Sequence, residues 1–173
     1  MAVIYGTLLL GASLLSRERT LATGERKYFC EMDCHLAYEV SEAAAPSETT
    51  RVVAVRTWFD PRTIASARGN GPLTPNPRVV SLVDASGRRF EPSAEATRAW
   101  ERAHGLSVPL TRVLRPGESY TTTFVFEVFP GVRAPHFFLG DPAGPENLLI
   151  GHENSPFHRK VYFALDPGRA AAR

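Results

Sequence analysis

The feature that most restricts the fold of this sequence is a two-residue alternation between Glu25 and Val40. Side chains on one side of the alternation are apolar or carry sulfur, and most of those on the other are charged or polar. A period of two predicts a β-strand, with its apolar side on a protein core and its polar side in water. We therefore expect one strand over Tyr28–Val40. Its buried face should carry Tyr28, Cys30, Met32, Cys34, Leu36, Tyr38 and Val40.

The rest of the chain alternates short β-rich runs with turn residues. The runs cover 51–59, 78–84, 119–129 and 161–165, with shorter apolar segments at 136–139 and 148–150. Fourteen prolines and thirteen glycines lie mainly between these runs, as in proteins with many turns between short strands. The sequence thus predicts an all-β protein, an antiparallel immunoglobulin-like β-sandwich of about seven strands with one short inserted helix and an N-terminal apolar segment.

The one helical pattern lies at 93–104. Ser93 is a suitable N-cap, Glu95 places negative charge in the first turn, and Gly105 is a suitable terminator. Trp100 falls on the apolar side of this segment, which should cover an edge or end of a sheet. We expect Trp100 to pack against the protein.

The N-terminal run Ala2–Leu15 contains no charged residue and is followed by Arg17 and Arg19. Fourteen residues at about 1.5 Å each fall short of a bilayer core of about 30 Å. We interpret 1–19 as a signal anchor or partial transmembrane helix whose true start lies upstream. A buried strand or helix of the domain is the alternative. The sandwich should then cover 20–166, and 167–173 should be a disordered tail.

The chain carries 20 Lys and Arg against 18 Asp and Glu, a net charge of +2, without a long basic block. This pattern gives no electrostatic footprint for nucleic acid. The sequence also lacks a glycine-rich phosphate loop and a nucleophile elbow. We therefore expect a non-enzymatic module that binds a protein partner in the cell envelope. The positive-inside rule applied to the arginines after the run would favour the cytoplasm, but we expect the domain to be extracytoplasmic, at the periplasmic or cell-surface side.

Three segments carry a family resemblance: RVVAVRTWFD at 51–60, RVVSLVDASGRRFEPS at 78–93 and LRPGESYTTTFVFEVF at 114–129. In this order they resemble immunoglobulin-like domains of unknown function found in bacterial lipoproteins and membrane-anchored exported proteins. The resemblance covers roughly 28–165. It implies a two-sheet sandwich outside the cytoplasm that acts as a binding or accessory module, and it implies no catalytic residues.

The two cysteines of the chain, Cys30 and Cys34, depart from that family pattern and admit three interpretations. They can be small buried hydrophobic side chains. They can form a disulfide, although positions four apart on a straight strand are about 13 Å apart and a bridge would need a turn at 31–33. They can also bind copper, because thiolate and thioether ligands select Cu(I).

The alternative function is therefore a copper-binding or thiol-redox protein that uses the Cys30/Cys34 pair. For copper, the candidate ligands are Cys30, Met32, Cys34, His35 and His158. The C-x-x-x-C spacing is similar to that of copper-delivery proteins of the Sco type and of cytochrome oxidase subunit II. The oxidase pattern has histidine where Tyr38 stands here, and the Sco pattern has proline at the position of His35. His158 joins the set only if the loop before the last strand folds back over the first strand.

Overall fold

The chain folds into a mostly β structure with two packed sheets and two α-helices. The computed structural model describes residues 1–31, 33–144 and 148–165. One sheet has five strands in the order β1-β9-β8-β5-β6, and the other has four in the order β2-β3-β4-β7. Every neighbouring pair is antiparallel except β1 and β9. The expected all-β sandwich is therefore confirmed, with more strands among the described residues than the seven predicted.

The helices are α1 (Ala2–Leu15) and α2 (Ala94–His104), and a short 3₁₀ turn covers Pro61–Thr63. The strands are β1 (Arg19–Leu21), β2 (Lys27–Cys30), β3 (His35–Ala44), β4 (Thr50–Phe59), β5 (Val79–Val83), β6 (Arg89–Phe90), β7 (Ser119–Glu127), β8 (His136–Gly140) and β9 (Val161–Ala164).

The hydrophobic core lies between the inner faces of the two sheets. Phe126 of β7 and Phe137 of β8, one from each sheet, have their ring centroids 6.2 Å apart in an edge-to-face arrangement, a favoured geometry for aromatic pairs. On β7 the inner residues are the even-numbered ones and include Tyr120 and Thr122, as the alternation of that strand predicts. Side chains from both sheets therefore form the hydrophobic core.

The prediction of one strand over Tyr28–Val40 is wrong. The segment forms a hairpin, in which β2 ends at Cys30 and β3 begins at His35 opposite Cys30. The backbone N–H of Glu31 donates to the carbonyl of Cys34 at 2.8 Å and closes the turn. Met32 lies outside the described residues.

Because of this chain reversal, the buried and exposed faces of β2 are the opposite of those predicted. The faces of β3 are as predicted. Leu36, Tyr38 and Val40 are buried. On β2, however, Phe29 is buried, whereas Tyr28 and Cys30 are exposed. The physical reason is that side chains alternate strictly along each strand, so a chain reversal resets which residues face the core.

The predicted helix is confirmed, and it covers the free edge of β7. The Ser93 hydroxyl accepts a hydrogen bond from the N–H of Ala96, and Gly105 at φ 96° ends the helix. The N–H of Ser93 donates to the Val125 carbonyl at 2.8 Å. Beyond the helix, the hydroxyl of Ser107 accepts from the N–H of Thr123 at 2.7 Å. These bonds satisfy backbone groups that an edge strand otherwise leaves unpaired.

The N-terminal apolar run is the helix α1, and the residues after it form β1, a strand that the sequence analysis did not predict. None of the described helices is both long enough and apolar enough to cross a membrane. The predicted disordered tail at 167–173 lies outside the described residues.

The hairpin between β5 and β6 leads to a prediction about pH. Hydrogen bonds from Ser86 and Arg88 lower the pKa of Asp84 to about 2. The folded pKa is thus below the ordinary value of about 3.9, so the stabilisation is present above about pH 4 and is lost as the pH falls toward about 2. We expect Asp84→Asn to be less stable than the wild type at neutral pH and to approach it in acid.

Urea unfolding of both proteins at a series of pH values measures this convergence. Two stability profiles that run parallel from neutral pH to about pH 2 would contradict the role of the Asp84 carboxylate.

Candidate functional site

A buried arginine at one end of the sandwich is the centre of the candidate site. The side chain of Arg78 is 1% exposed and forms ion pairs with Glu31 and Asp141. Its guanidinium carbon lies 4.4 Å from the ring centroid of Phe29 and 5.7 Å from that of Tyr38. Since an isolated buried charge is costly, the two carboxylates and the two rings together make this position possible.

Strand ends bring the three charged residues together. Arg78 precedes β5 and Asp141 follows β8, and these strands pair so that Val79 lies opposite Gly140. Glu31 comes from the other sheet, directly after β2. The second carboxylate oxygen of Glu31 accepts from the backbone N–H of Asn76 at 3.3 Å. The turn after β2 is therefore fastened to the start of β5, across the two layers.

A cavity of about 380 Å³ opens beside this ion network. Its lining includes Cys30, Asn76, Arg78, Asp141 and His152. The Nε2 atom of His152 lies 3.7 Å from a carboxylate oxygen of Asp141. The lining of the cavity thus combines a thiol, an imidazole, a carboxylate and a guanidinium, which suits polar contacts with a ligand or partner.

Burial perturbs the ionisation of the cluster. Desolvation raises the pKa of the Glu31 carboxyl, and the nearby Arg78 guanidinium opposes this increase. A second buried pair lies nearby, where the ammonium of Lys27 is 2.6 Å from a carboxylate oxygen of Glu153. Burial lowers the pKa of Lys27, and Glu153 acts in the opposite direction. This end of the sandwich therefore holds the two ion pairs of Arg78 and the ion pair between Lys27 and Glu153, all at least partly shielded from water.

Neither cysteine is in a disulfide, although the turn that a bridge would need is present. Cys30 is exposed at the end of β2, whereas Cys34 is buried, and its sulfur lies 3.7 Å from the carbonyl oxygen of Glu31. Desolvation raises the pKa of the Cys34 thiol. A buried neutral thiol behaves as a small hydrophobic group rather than as a thiolate ligand.

The other predicted ligands are dispersed. His35 is half-buried, and its backbone N–H donates to the Thr63 hydroxyl at 2.9 Å. The Nδ1 atom of His158 is 2.8 Å from the Arg159 carbonyl oxygen. Within residues 1–31, 33–144 and 148–165, no three His, Cys, Asp or Glu side chains are grouped so that they could hold a metal ion. The copper alternative therefore gains no support from this geometry.

The loop before the last strand, on which the role of His158 depended, does fold back toward β2, but it brings other residues there. Glu153 reaches Lys27 on β2, and His152 lines the same cavity as Cys30. Sequence reasoning missed Arg78 as a site residue, since an arginine at the start of a strand is ordinarily solvent-exposed. It also assigned Glu31 to the water-facing side of a straight strand. The signal that the sequence did offer was Glu31, an acidic residue between the two cysteines.

The fold is similar to that of a solved structure at low sequence identity. A secreted protein from Mycobacterium tuberculosis, MPT63, is 11% identical with a TM-score of 0.51, over 90% of this chain and 100% of that one. The yjhA protein from Bacillus subtilis is 14% identical with a TM-score of 0.47, over 85% of this chain and 100% of that one. Neither the protein-family models nor the curated proteins give a match to this sequence.

Removal of the central cation should be costly, because it leaves Glu31 buried without its partner. We expect Arg78→Met to lower the free energy of unfolding by about 3–5 kcal/mol. The double variant Arg78→Met with Glu31→Met should regain much of that loss, since the buried carboxylate is removed too and only the partly exposed Asp141 loses its partner. Urea denaturation of the wild type, both single variants and the double variant measures the coupling.

The matched control is Arg88→Met, which removes a solvent-exposed partner of Asp84. Exposed pairs contribute about 0–1 kcal/mol. Additive losses from the Arg78 and Glu31 substitutions would show that the two side chains do not act as a pair.

Proposed function

We propose that this protein is a non-enzymatic binding or accessory module of immunoglobulin-like type that is held at the extracytoplasmic surface of a membrane by α1. The observation that carries the proposal is the large apolar surface that α1 presents to solvent. The proposal also rests on the order of the strands and on the fold shared with a secreted protein.

The strand order supports the immunoglobulin-like part of the proposal. Immunoglobulin sandwiches place strands A, B and E in one sheet and G, F and C in the other, with C′ added beside C in the variable type. Here β3, β4 and β7 are neighbours in one sheet, and β9, β8, β5 and β6 follow one another in the other. The helix α2 lies between β6 and β7, where the immunoglobulin pattern has strand D.

The surface of α1 supports the membrane part. Only a narrow side of the helix faces the domain, where Leu9 is 7% exposed and Ser13 is fully buried. Its remaining large side chains are open to solvent, and so are apolar residues of the segment that it contacts. The exposed set comprises Val3, Ile4, Tyr5, Leu8, Leu10, Leu14 and Leu15 on α1, and Leu148, Leu149, Ile150 and Phe157 on the segment.

Hydrogen bonds fix the helix against that segment. The Tyr5 hydroxyl donates to the Leu148 carbonyl, and the backbone N–H of Arg159 donates to the Ser16 hydroxyl at 2.7 Å. The two elements therefore form one apolar patch, which we call the α1 patch. Soluble proteins rarely leave so large a continuous apolar surface in water, and a lipid surface is one partner that would cover it.

The α1 patch fits a helix that lies in the plane of the membrane interface. A length of 14 residues gives about 21 Å at about 1.5 Å per residue, less than the bilayer core of about 30 Å. Arg17 and Arg19 follow the helix directly and are exposed, so they are placed to contact anionic lipid head groups. The positive-inside rule does not apply to a helix that lies on one leaflet, because that rule concerns spanning segments.

The extracytoplasmic side is supported by the likeness to a protein described as secreted. The remaining surface, including the cavity beside Arg78, would then be available to a protein partner of the cell envelope.

Charge on the α1 patch should abolish membrane binding, because burial of a carboxylate in the apolar part of the interface is costly. We expect the full chain to float with vesicles that contain anionic phosphatidylglycerol, and the variant Leu8→Glu/Leu14→Glu to remain in the soluble fraction. The measurement is flotation of the purified chains on a density gradient.

The matched control is Leu106→Glu, the same change at a leucine that is 89% exposed in the loop after α2. It should float like the wild type. Equal flotation of the Leu8/Leu14 variant and the wild type would refute the role of the α1 patch.

The side of the membrane is tested with the exposed thiol of Cys30. A membrane-impermeant maleimide added to intact bacterial spheroplasts should label the wild type, because the domain lies outside the cytoplasm. The Cys30→Ser variant retains only the buried Cys34 and should stay unlabelled. Labelling of the wild type only after lysis would place the domain in the cytoplasm.

A further inference from the structure

We propose that the groove between α2 and the inner face of β7 is a binding site for a small, mainly apolar molecule with one uncharged oxygen head group, such as an alcohol or a ketone. The groove is separate from the α1 patch, and binding to it is measured without lipid. The proposal therefore stands or falls independently of the membrane function.

The groove is large enough and its walls are fixed. Its volume is about 550 Å³, within the range of about 300–1,000 Å³ for small-molecule sites. The segment after α2 is tied to β7 on both sides, since the Ser107 hydroxyl accepts from the Thr123 N–H and the Tyr120 hydroxyl donates to the Leu110 carbonyl. The Glu101 carboxylate also accepts from the Ser107 N–H at 3.0 Å.

The body of the groove is apolar. Val80 from one sheet and Phe124 from the other line it, and Leu110 faces them from the loop after α2. All three pack against the hydrophobic core. An alkyl chain in contact with these side chains would remove apolar surface from water at roughly 25 cal/mol per Å².

Two buried polar atoms give the groove its specificity. The hydroxyl of Thr122 and the Nε atom of Arg78 belong to side chains that line the groove, and neither atom has a hydrogen-bond partner within the described residues. Thr122 is 5% exposed, and the Arg78 side chain is 1% exposed. Buried polar atoms of native proteins almost always find a partner. A ligand oxygen that meets either atom would supply a partner, as acceptor for the Nε–H or as donor or acceptor for the hydroxyl.

The charges around the groove select an uncharged head group. The Arg78 guanidinium is already paired with two carboxylates, Glu31 and Asp141. A ligand carboxylate would add a third anion next to one buried cation, at a high cost of desolvation. At the rim, Arg98 and Glu101 carry opposite charges and provide no net preference for an anion.

The test is a nuclear magnetic resonance titration of the full chain with 1-octanol and, separately, with octanoate. We expect saturable shifts of the Val80 and Leu110 methyl signals with 1-octanol, and weaker binding of octanoate. Thr122→Val should weaken the binding of 1-octanol by roughly fivefold, the effect of one hydrogen bond. Thr97→Trp, at a groove-lining position of α2, should abolish it by filling the entrance.

Two control variants distinguish a loss of binding from a loss of folding. Thr121→Val is the same substitution one residue earlier on β7, on the exposed side, and Arg102→Trp places the same indole on an exposed part of α2. Both should bind 1-octanol like the wild type. The absence of saturable shifts, tighter binding of octanoate, or equal affinity of the Thr122→Val and Thr121→Val variants would overturn the proposal.

Discussion

The structure depends on a single buried guanidinium that joins the two sheets at one end of the sandwich. Arg78 stands at the start of β5, in the five-stranded sheet, and pairs with Glu31 from the hairpin of the four-stranded sheet. Asp141 supplies a second carboxylate from the end of β8. An ion pair of this kind stabilises little when compared with hydrophobic packing, but the loss of one member leaves a buried charge without compensation. The arrangement therefore fixes the geometry of this end more than it adds to stability.

The same arginine contributes to two cavities. Arg78 lines both the cavity that contains Cys30 and His152 and the groove under α2 that contains Thr122. Among the described residues the Nε atom of this guanidinium has no hydrogen-bond partner, although its two other nitrogens each meet a carboxylate. A buried donor without a partner is costly, and proteins retain such groups most often where a ligand or an ordered water meets them.

Two regions of the surface differ in their chemistry. The α1 patch is apolar and followed by arginines, whereas the free edge of β7 is protected by α2 and by hydrogen bonds from Ser93 and Ser107. A protected edge prevents association through strand addition. The α1 patch has no such protection, and we propose that the membrane binds there.

The sequence by itself determined the strands with a clear local pattern and the one capped helix. The alternation of β7 and the Ser93 cap depend on neighbours within a few residues, so local propensity and periodicity suffice for them. The same reasoning failed at 28–40, because the alternation of residue types there continues across the chain reversal between Cys30 and His35, and a reversal has no period of its own. Only the tertiary structure decided that Glu31 faces Arg78 and that His152 rather than His158 lies near Cys30. Those contacts join residues that are far apart in the chain, and which of them meet depends on how the two sheets pack.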